Sequence, residues 1–395
     1  MDLARGLETL LLAAVVAALA PMLVALLPGP RIPQVVVLLA GGVLVGPQVL
    51  SWADRAAIDL LANVGLGFLF LLAGYELDLH LFRERPGRVA IVAWLVTVGL
   101  AAALVGVLAA AGLVRAFVPV ALGLTTTALG TLLPILRDND MLGGRFGRYL
   151  LAAGAVGELF PVFAIAVFLG ASNKFVALLS LLAVGVLALV LSFAPRLVRG
   201  GRLELILREG EGSTAQTTLR WTILLLLVLL VVAEEFGLDV VLGAFLAGIV
   251  LRRWAPGDVE ALQEKLDAIG YGFFIPLFFV ASGMGLDVRS IAEAPLRLLV
   301  FFVLLLVVRG VPALFLYRRD LPVAERVQMM LLTATSLPLL VALAEIGLRN
   351  GTMLRENAAA LVGAGVLSVL VFPMAAVAIE RRRRARERPE VSAPE

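Results

Sequence analysis

Apolar runs of bilayer-crossing length, about 20 residues each, follow one another along the whole chain with only short polar breaks between them. No other feature limits the fold so strongly, because backbone inside hydrocarbon must satisfy its hydrogen bonds internally, which for runs of this length means helices. Composition agrees. The hydrophobic set makes up 61% of the chain and charged residues 16%, against roughly 45–50% and about 25% in an average soluble domain, and the mean hydropathy is +1.02. The expected fold is all-α and polytopic. At about 20 residues a span plus its turn, 395 residues hold about 13 spans and leave no room for a soluble domain. That argues against an ATP-driven pump, a nucleotide-gated channel or a transcription factor. Cys is absent and His occurs once, which excludes disulfides, Cys-based zinc sites and Cys nucleophiles; no cofactor is expected. The net charge of +3 is too small to imply nucleic acid.

Spans are expected near 7–27, 33–50, 57–79, 89–113, 116–136, 149–170, 174–195, 220–236, 239–252, 266–284, 298–317, 326–347 and 358–379. Cytoplasmic loops are enriched in Lys and Arg. With the C-terminus inside, 24 of the 33 basic residues fall on the cytoplasmic side, 8 fall outside, and Arg309 lies within a span. The N-terminus is therefore expected outside and the C-terminus in the cytoplasm, in the cell membrane. Ala18-Leu19-Ala20 has the form of a signal-peptide cleavage site, but cleavage there would invert the charge bias, so the segment reads as a span. The sequence divides into a first half over 1–195, a Gly-containing cytoplasmic linker over 196–219, a second half over 220–380, and a basic tail over 381–395 that reads as disordered.

The halves are related. Phe70–Asp78 matches Phe279–Asp287 at an offset of 209, Thr125–Leu129 matches Thr333–Leu337 at 208, and Gly41 and Gly46 match Gly243 and Gly248 at 202. Spans 2, 3 and 5 thus correspond to spans 9, 10 and 12. Seven spans separate the partners, an odd number, so the halves face opposite ways across the membrane. Inverted repeats are typical of secondary transporters, whose sites lie near the midplane on interrupted helices. Prolines suggest where the interruptions lie: Pro134, Pro161 and Pro338 cannot bond the carbonyls of Gly130, Gly157 and Ala334, and a freed carbonyl in hydrocarbon is costly unless it lines a cavity. Hydroxyls cluster nearby in both halves, at Thr125, Thr126, Thr127 and Thr131 and at Thr333, Thr335 and Ser336. The plainer alternative is that they bond back to their own helices.

Two charges sit at mid-span. Glu158 lies ten residues from the cytoplasmic Arg148, about 15 Å at helical rise and so near the middle of a core about 30 Å thick; Arg309 lies between Arg297 and Arg318. Such residues are costly, and they pair or mark an ion pathway. Their plainer reading is a permanent ion pair between two helices.

The motifs Gly74-Tyr-Glu-Leu-Asp78, Gly243-Ala-Phe-Leu-Ala-Gly248 and Pro276-Leu-Phe-Phe-Val-Ala-Ser-Gly283, with the mid-span acid at Glu158, resemble the second monovalent cation:proton antiporter family over nearly the whole chain. The resemblance implies a homodimer in which a core domain with two crossing broken helices moves against a dimerisation domain. It maps the ion-binding carboxylate to Glu158, the crossing helices to the Thr125–Pro134 and Thr333–Pro338 segments, and the mid-membrane basic residue to Arg309. Where relatives carry a polar residue before the acid, this chain has Gly157, which leaves the preferred ion open.

The leading expectation is a cation/proton antiporter, not an enzyme, in which Glu158 alternates between a proton and a monovalent cation (Na⁺ or K⁺) and Thr125, Thr126, Thr127, Thr335 and Ser336 with the freed carbonyls supply hard oxygen ligands. Arg309 would stabilise the ionised empty site. A sodium-coupled organic anion symporter and a transport-inactive scaffold are the alternatives. Because the chain has no native Cys, the orientation can be tested by labelling. Membrane-impermeant maleimide added outside should modify Asn350→Cys and not Ser213→Cys; the reverse pattern overturns the orientation and the assignment of the halves.

Overall fold

A computed structural model gives the architecture of residues 3–26, 33–76, 79–114, 116–169, 174–198, 216–236, 238, 240–254, 259–293 and 295–387. Among them every regular element is helical. The order is α1 (Leu3–Leu26), α2 (Gln34–Val45), α3 (Arg55–Glu76), a short 3₁₀ turn (Leu79–Arg83), α4 (Arg85–Ala110), α5 (Phe117–Gly123), α6 (Leu129–Asp138), α7 (Gly144–Phe168) and α8 (Lys174–Val198). After the linker come α9 (Thr217–Glu235), α10 (Val240–Trp254), α11 (Val259–Ile269), α12 (Ile275–Gly285), α13 (Val288–Glu293), α14 (Pro295–Leu304), α15 (Val311–Leu316), α16 (Val323–Thr333), α17 (Pro338–Arg349) and α18 (Arg355–Glu387). Each expected span falls on one helix or on a run of consecutive pieces, and the chain is an all-helical, multi-pass membrane protein of about 13 spans. Most of the linker, residues 199–215, lies outside the described residues, as do residues 388–395 of the tail.

Prolines shape these helices without stopping them. Pro86 and Pro338 occupy the first or second position of a helix, where a missing N–H costs nothing. Pro276 and Pro312 instead follow π-helical turns. Gly270–Phe274 precedes α12 and Leu305–Gly310 precedes α15, and the N–H groups of Ile275 and Val311 reach five residues back, to Gly270 and Leu306. The proline removes one bond of the α-helical ladder, and a single wider turn restores continuity.

The tail departs from expectation. Helix α18 continues to Glu387 instead of ending near 380, because Glu380, with a side chain only 7% exposed, accepts from Arg383 Nη2 at 2.9 Å and Arg384 Nε at 2.8 Å. These are neighbours on one helix face. Gln328 on α16 adds a third donor at 3.0 Å, and Arg384 also donates to the carbonyls of Asn139 and Asp140 at the end of α6.

The described residues form two compact units, Met1–Asp78 with Val162–Val288, and Leu79–Pro161 with Arg289–Glu395. Each takes helices from both halves of the repeat. In the first unit, helices touch backbone to backbone at glycines. A methyl group on Gly74 would come within 3.0 Å of the carbonyl oxygen of Phe245, and one on Gly248 equally close to that of Leu71; Gly42 meets Val280 and Gly283 meets Leu39 in the same way. The pairs α3–α10 and α12–α2 are therefore the same contact made twice. Leu71 and Val280 are 209 apart, whereas Phe245 and Leu39, like Gly248 and Gly42, are 206 apart. The glycine register of 202 read from the sequence is thus one helical turn off, and Gly42, not Gly46, is the counterpart of Gly248. In the second unit the buried core is built around Trp94, Leu132, Leu136, Tyr149, Leu332 and Phe372. Near its edge the buried Asp320 accepts from Tyr149 at 2.8 Å and pairs with Arg85 at 2.7 Å.

At these glycines the obstacle is backbone, which cannot rotate away. Gly248→Val should lower the melting temperature of the detergent-solubilised protein, corresponding to about 1–3 kcal/mol for an overpacked site or more. Gly99→Ala, where no atom lies within 4 Å of the new carbon, should be neutral or stabilising by about 0.5–1 kcal/mol. Equal melting of Gly248→Val and the unaltered chain would refute the close-contact account.

Candidate functional site

The site residues singled out in the sequence converge in the second unit, where two interrupted helices meet. Helix α5 ends at Gly123 and α6 starts at Leu129; α16 ends at Thr333 and α17 starts at Pro338. The position of the first break corrects the expectation. Gly130 and Pro134 both lie inside α6, and Gly157 and Pro161 both lie inside α7, which runs unbroken from Gly144 to Phe168. The first break is made by threonines. Thr125 Oγ1 donates to the carbonyl of Leu122 at 2.8 Å and Thr126 Oγ1 to that of Gly123 at 2.7 Å, so hydroxyls capture carbonyls that would have continued the helix. Three successive β-branched residues also resist helical packing. At the second break, Pro338 opens α17 and Leu337 before it is held at φ −148°, ψ −57°, outside the helical region that a residue before proline avoids.

Each unwound segment exposes peptide groups, and these find partners close by. Thr127 N–H donates to the Gly157 carbonyl at 3.0 Å, the acceptor that Pro161 leaves without a helical partner. Ala128 N–H donates across the crossing to the Thr335 carbonyl at 2.8 Å. Thr127 Oγ1 donates to the Thr333 carbonyl at 2.7 Å, and the hydroxyls of Thr126 and Ser336 meet between the two segments. Thr333 and Thr335 bond back to Met329 and Leu331 of their own helix at 2.7 and 3.2 Å, as does Thr125. The plainer reading of the hydroxyls therefore describes Thr125, Thr333 and Thr335; Thr126 also bonds back, to Gly123, but with Thr127 and Ser336 it links the two breaks. Thr131 lies in the first turn of α6, half-buried.

Arg309 reaches this crossing from the π-helical turn before α15 and is 3% exposed. Its Nε donates to Thr127 Oγ1 and its Nη2 to the Ala153 carbonyl of α7, both at 2.9 Å. The guanidinium fits because position 157 has no side chain: a carbon there would lie within 3.0 Å of both Thr127 Oγ1 and Arg309 Nη2. The two charges singled out in the sequence thus meet the same helix, α7, which carries Glu158 and is gripped at Ala153 by Arg309. Glu158 is half-buried. It lies one turn beyond Gly154, on the same stripe of α7, and Gly154 abuts Leu129 at the start of α6.

The hydroxyl protons can be accounted for. A Ser or Thr hydroxyl has one proton to give and two lone pairs. Thr125, Thr126, Thr127, Thr333 and Thr335 each donate to a carbonyl. Thr126 therefore has no proton left for Ser336, and in their shared contact Ser336 is the donor. All six protons are used, and what the crossing still offers is lone pairs. Lone pairs of this kind suit a small cation.

One member escaped the sequence reading. Ser368 on α18 is fully buried and accepts the Ser336 N–H at 3.0 Å. A signal was present, since it is the single hydroxyl residue in the apolar helix Arg355–Glu387, but it has no counterpart in the repeat comparison.

The family model for "Sodium/hydrogen exchanger, transmembrane" matches residues 12–379. A putative Na(+)/H(+) antiporter of Bacillus subtilis, YjbQ, is 28% identical over 383 residues, covering 91% of this chain and 60% of its own length. A probable Na(+)/H(+) antiporter of Methanocaldococcus jannaschii is 27% identical over 271 residues, covering 66% of this chain and 67% of its own. This chain thus spans about three fifths of the length of YjbQ. The solved structure of the sodium proton antiporter MjNhaP1 from Methanocaldococcus jannaschii superposes over 100% of both chains with a TM-score of 0.66 at 16% identity, a likeness of fold. The match over nearly all of the spans, together with the paired broken helices, shows that the chain belongs to the transmembrane sodium/hydrogen exchanger family.

Proposed function

We propose that this protein exchanges a monovalent cation, Na⁺ or K⁺, for a proton across the cell membrane, with Glu158 as the group that carries one or the other in turn. The observation that carries this reading is the proton accounting at the crossing: six hydroxyls have given their protons to carbonyls or to each other, so the oxygens left beside an acid-bearing helix are acceptors. A dehydrated alkali ion needs such oxygens. An organic anion would need donors; the hydroxyls have none left to give, and two of the five N–H groups of Arg309 are committed to Thr127 and Ala153. The names of the two relatives, both Na(+)/H(+) antiporters, support the same class of activity.

In this reading Glu158 binds the cation when ionised, aided by lone pairs of Thr126 and Ser336, and takes a proton when the cation leaves. Thr127 is mainly a brace, because its hydroxyl both donates to Thr333 and accepts from Arg309; Thr125 and Thr335 close helix ends. Arg309 supplies a fixed positive charge beside the empty, ionised site and fastens the first break to α7. Gly157 has nothing to titrate, and an arginine does not release its proton at working pH. One proton is therefore exchanged for one cation, and the cycle is electroneutral. The protein works as a homodimer in the lipid bilayer, with its N-terminus outside and its C-terminus in the cytoplasm.

Two experiments test this. In proteoliposomes loaded with a pH dye, added Na⁺ or K⁺ should drive proton movement in the unaltered protein, while Glu158→Gln, an uncharged side chain of the same size, should abolish exchange with melting temperature and dimer unchanged, because an amide cannot take up and release the proton. Full exchange in folded Glu158→Gln would rule out the central claim. For the stoichiometry, moving one net charge is coupled to about 2.3 kcal/mol per 100 mV. A cation jump on a solid-supported membrane should move protons without transient current, and a clear current whose sign follows the ion gradient would overturn the 1:1 exchange.

A further inference from the structure

The two breaks are anchored in different ways. At the first, the N–H of Thr127 is taken by a main-chain carbonyl, that of Gly157. At the second, the N–H of Ser336 is taken by a side chain, the hydroxyl of Ser368 on α18 at 3.0 Å. The same hydroxyl lies 2.9 Å from the Ser336 carbonyl and 2.7 Å from that of Gly365. One oxygen therefore meets both polar groups of residue 336. It accepts from the N–H and has one proton to share between two carbonyls. Gly365 completes the cradle, since a carbon added there would stand 2.9 Å from the Ser336 carbonyl oxygen. Ser336 and Ser368 are both buried, at 1% and 0% exposure, so no water stands ready to replace a lost partner.

Ser336 matters because of where its own hydroxyl goes. It gives its proton to Thr126 across the crossing, and it keeps two lone pairs. If its backbone rotates, that hydroxyl leaves Thr126 and its lone pairs turn away from the crossing. We propose that Ser368 is a positioning residue for the ion site, holding the peptide of Ser336 between α18 and the crossing so that the Ser336 hydroxyl stays aimed at Thr126. The assignment rests on the cation-exchange reading above. It predicts a change in cation affinity with little change in turnover, because Ser368 acts on a ligand of the bound state and not on the proton-carrying acid.

The test is cation-dependent proton movement in proteoliposomes, measured over a range of Na⁺ or K⁺ for the unaltered chain, Ser368→Ala, Ser336→Ala and the double variant. Loss of the buried acceptor should raise the half-saturating cation concentration about 5–10-fold in Ser368→Ala, with the maximal rate within about twofold. The double variant should be no weaker than Ser336→Ala alone, since Ser368 acts through Ser336. Should Ser368→Ala fail to fold, Gly365→Ala carries the test: it keeps the hydroxyl and pushes on the Ser336 carbonyl from the other side, and it should raise the half-saturating concentration likewise. Unchanged cation dependence in a folded Ser368→Ala, or in Gly365→Ala where that variant stands in, overturns the proposal, as does an additive loss in the double variant. An unaltered chain that exchanges no cation at all would instead remove the antiporter reading, and this assignment with it.

Discussion

Everything distinctive in this protein follows from the need to satisfy a peptide group where there is no water. Within hydrocarbon an unpartnered N–H or carbonyl is costly, so a spanning chain stays helical unless something else takes over its hydrogen bonds. Here two chain segments abandon the helix at the same place, and each becomes part of the solution for the other. Ala128 N–H finds the Thr335 carbonyl, Thr127 Oγ1 finds the Thr333 carbonyl, and the hydroxyls of Thr126 and Ser336 close the gap. Neither break would be tolerable alone.

The crossing is symmetric in origin and asymmetric in detail. Its partners are separated by 206 to 210 residues, close to the repeat spacing, so the pseudo-twofold relation passes through the place where the segments touch. The surroundings break that relation. On one side Pro161 strips a helical partner from Gly157, whose carbonyl then receives Thr127, one residue before Glu158. On the other, the same task falls to the Ser368 side chain. Arg309 likewise enters from a π-helical turn that Pro312 makes necessary, into a notch that Gly157 leaves open. Charge has thus been added to one side of a symmetric frame.

The first unit shows what the same repeat does without breaks. There α3–α10 and α12–α2 approach until backbone carbonyls rest on glycines, a contact that gives dispersion and close packing where the hydrophobic effect offers helices no drive to associate. These contacts are stiff, because the atoms that meet are backbone. In the second unit the corresponding meeting point is made of hydroxyls and unwound chain.

Much of this could be read from the residues alone. Hydrophobic run length gave the all-helical, multi-pass class and about 13 spans, since a bilayer fixes the length of a span; the repeat was visible because glycines and hydroxyls cannot be exchanged freely for leucine at close contacts or breaks; and mid-span Glu158 and Arg309 stood out because charge is rare there. Other features depended on three dimensions. Proline was a misleading guide to the first break, because a proline such as Pro134 costs a helix one bond, while the adjacent Thr125 and Thr126 take two successive carbonyls. The glycine register slipped by a turn, since Gly41, Gly42 and Gly46 are equivalent to any local reading and only contact with Val280 and Gly283 selects Gly42. Ser368 was one hydroxyl in an apolar helix until folding brought it to the N–H of Ser336, and the space at Gly157 had no meaning until Arg309, 152 residues away, filled it. A sequence records which groups a chain carries and how costly each is to bury; which group relieves which cost depends on partners far apart in the chain, and the tertiary structure alone brings them together.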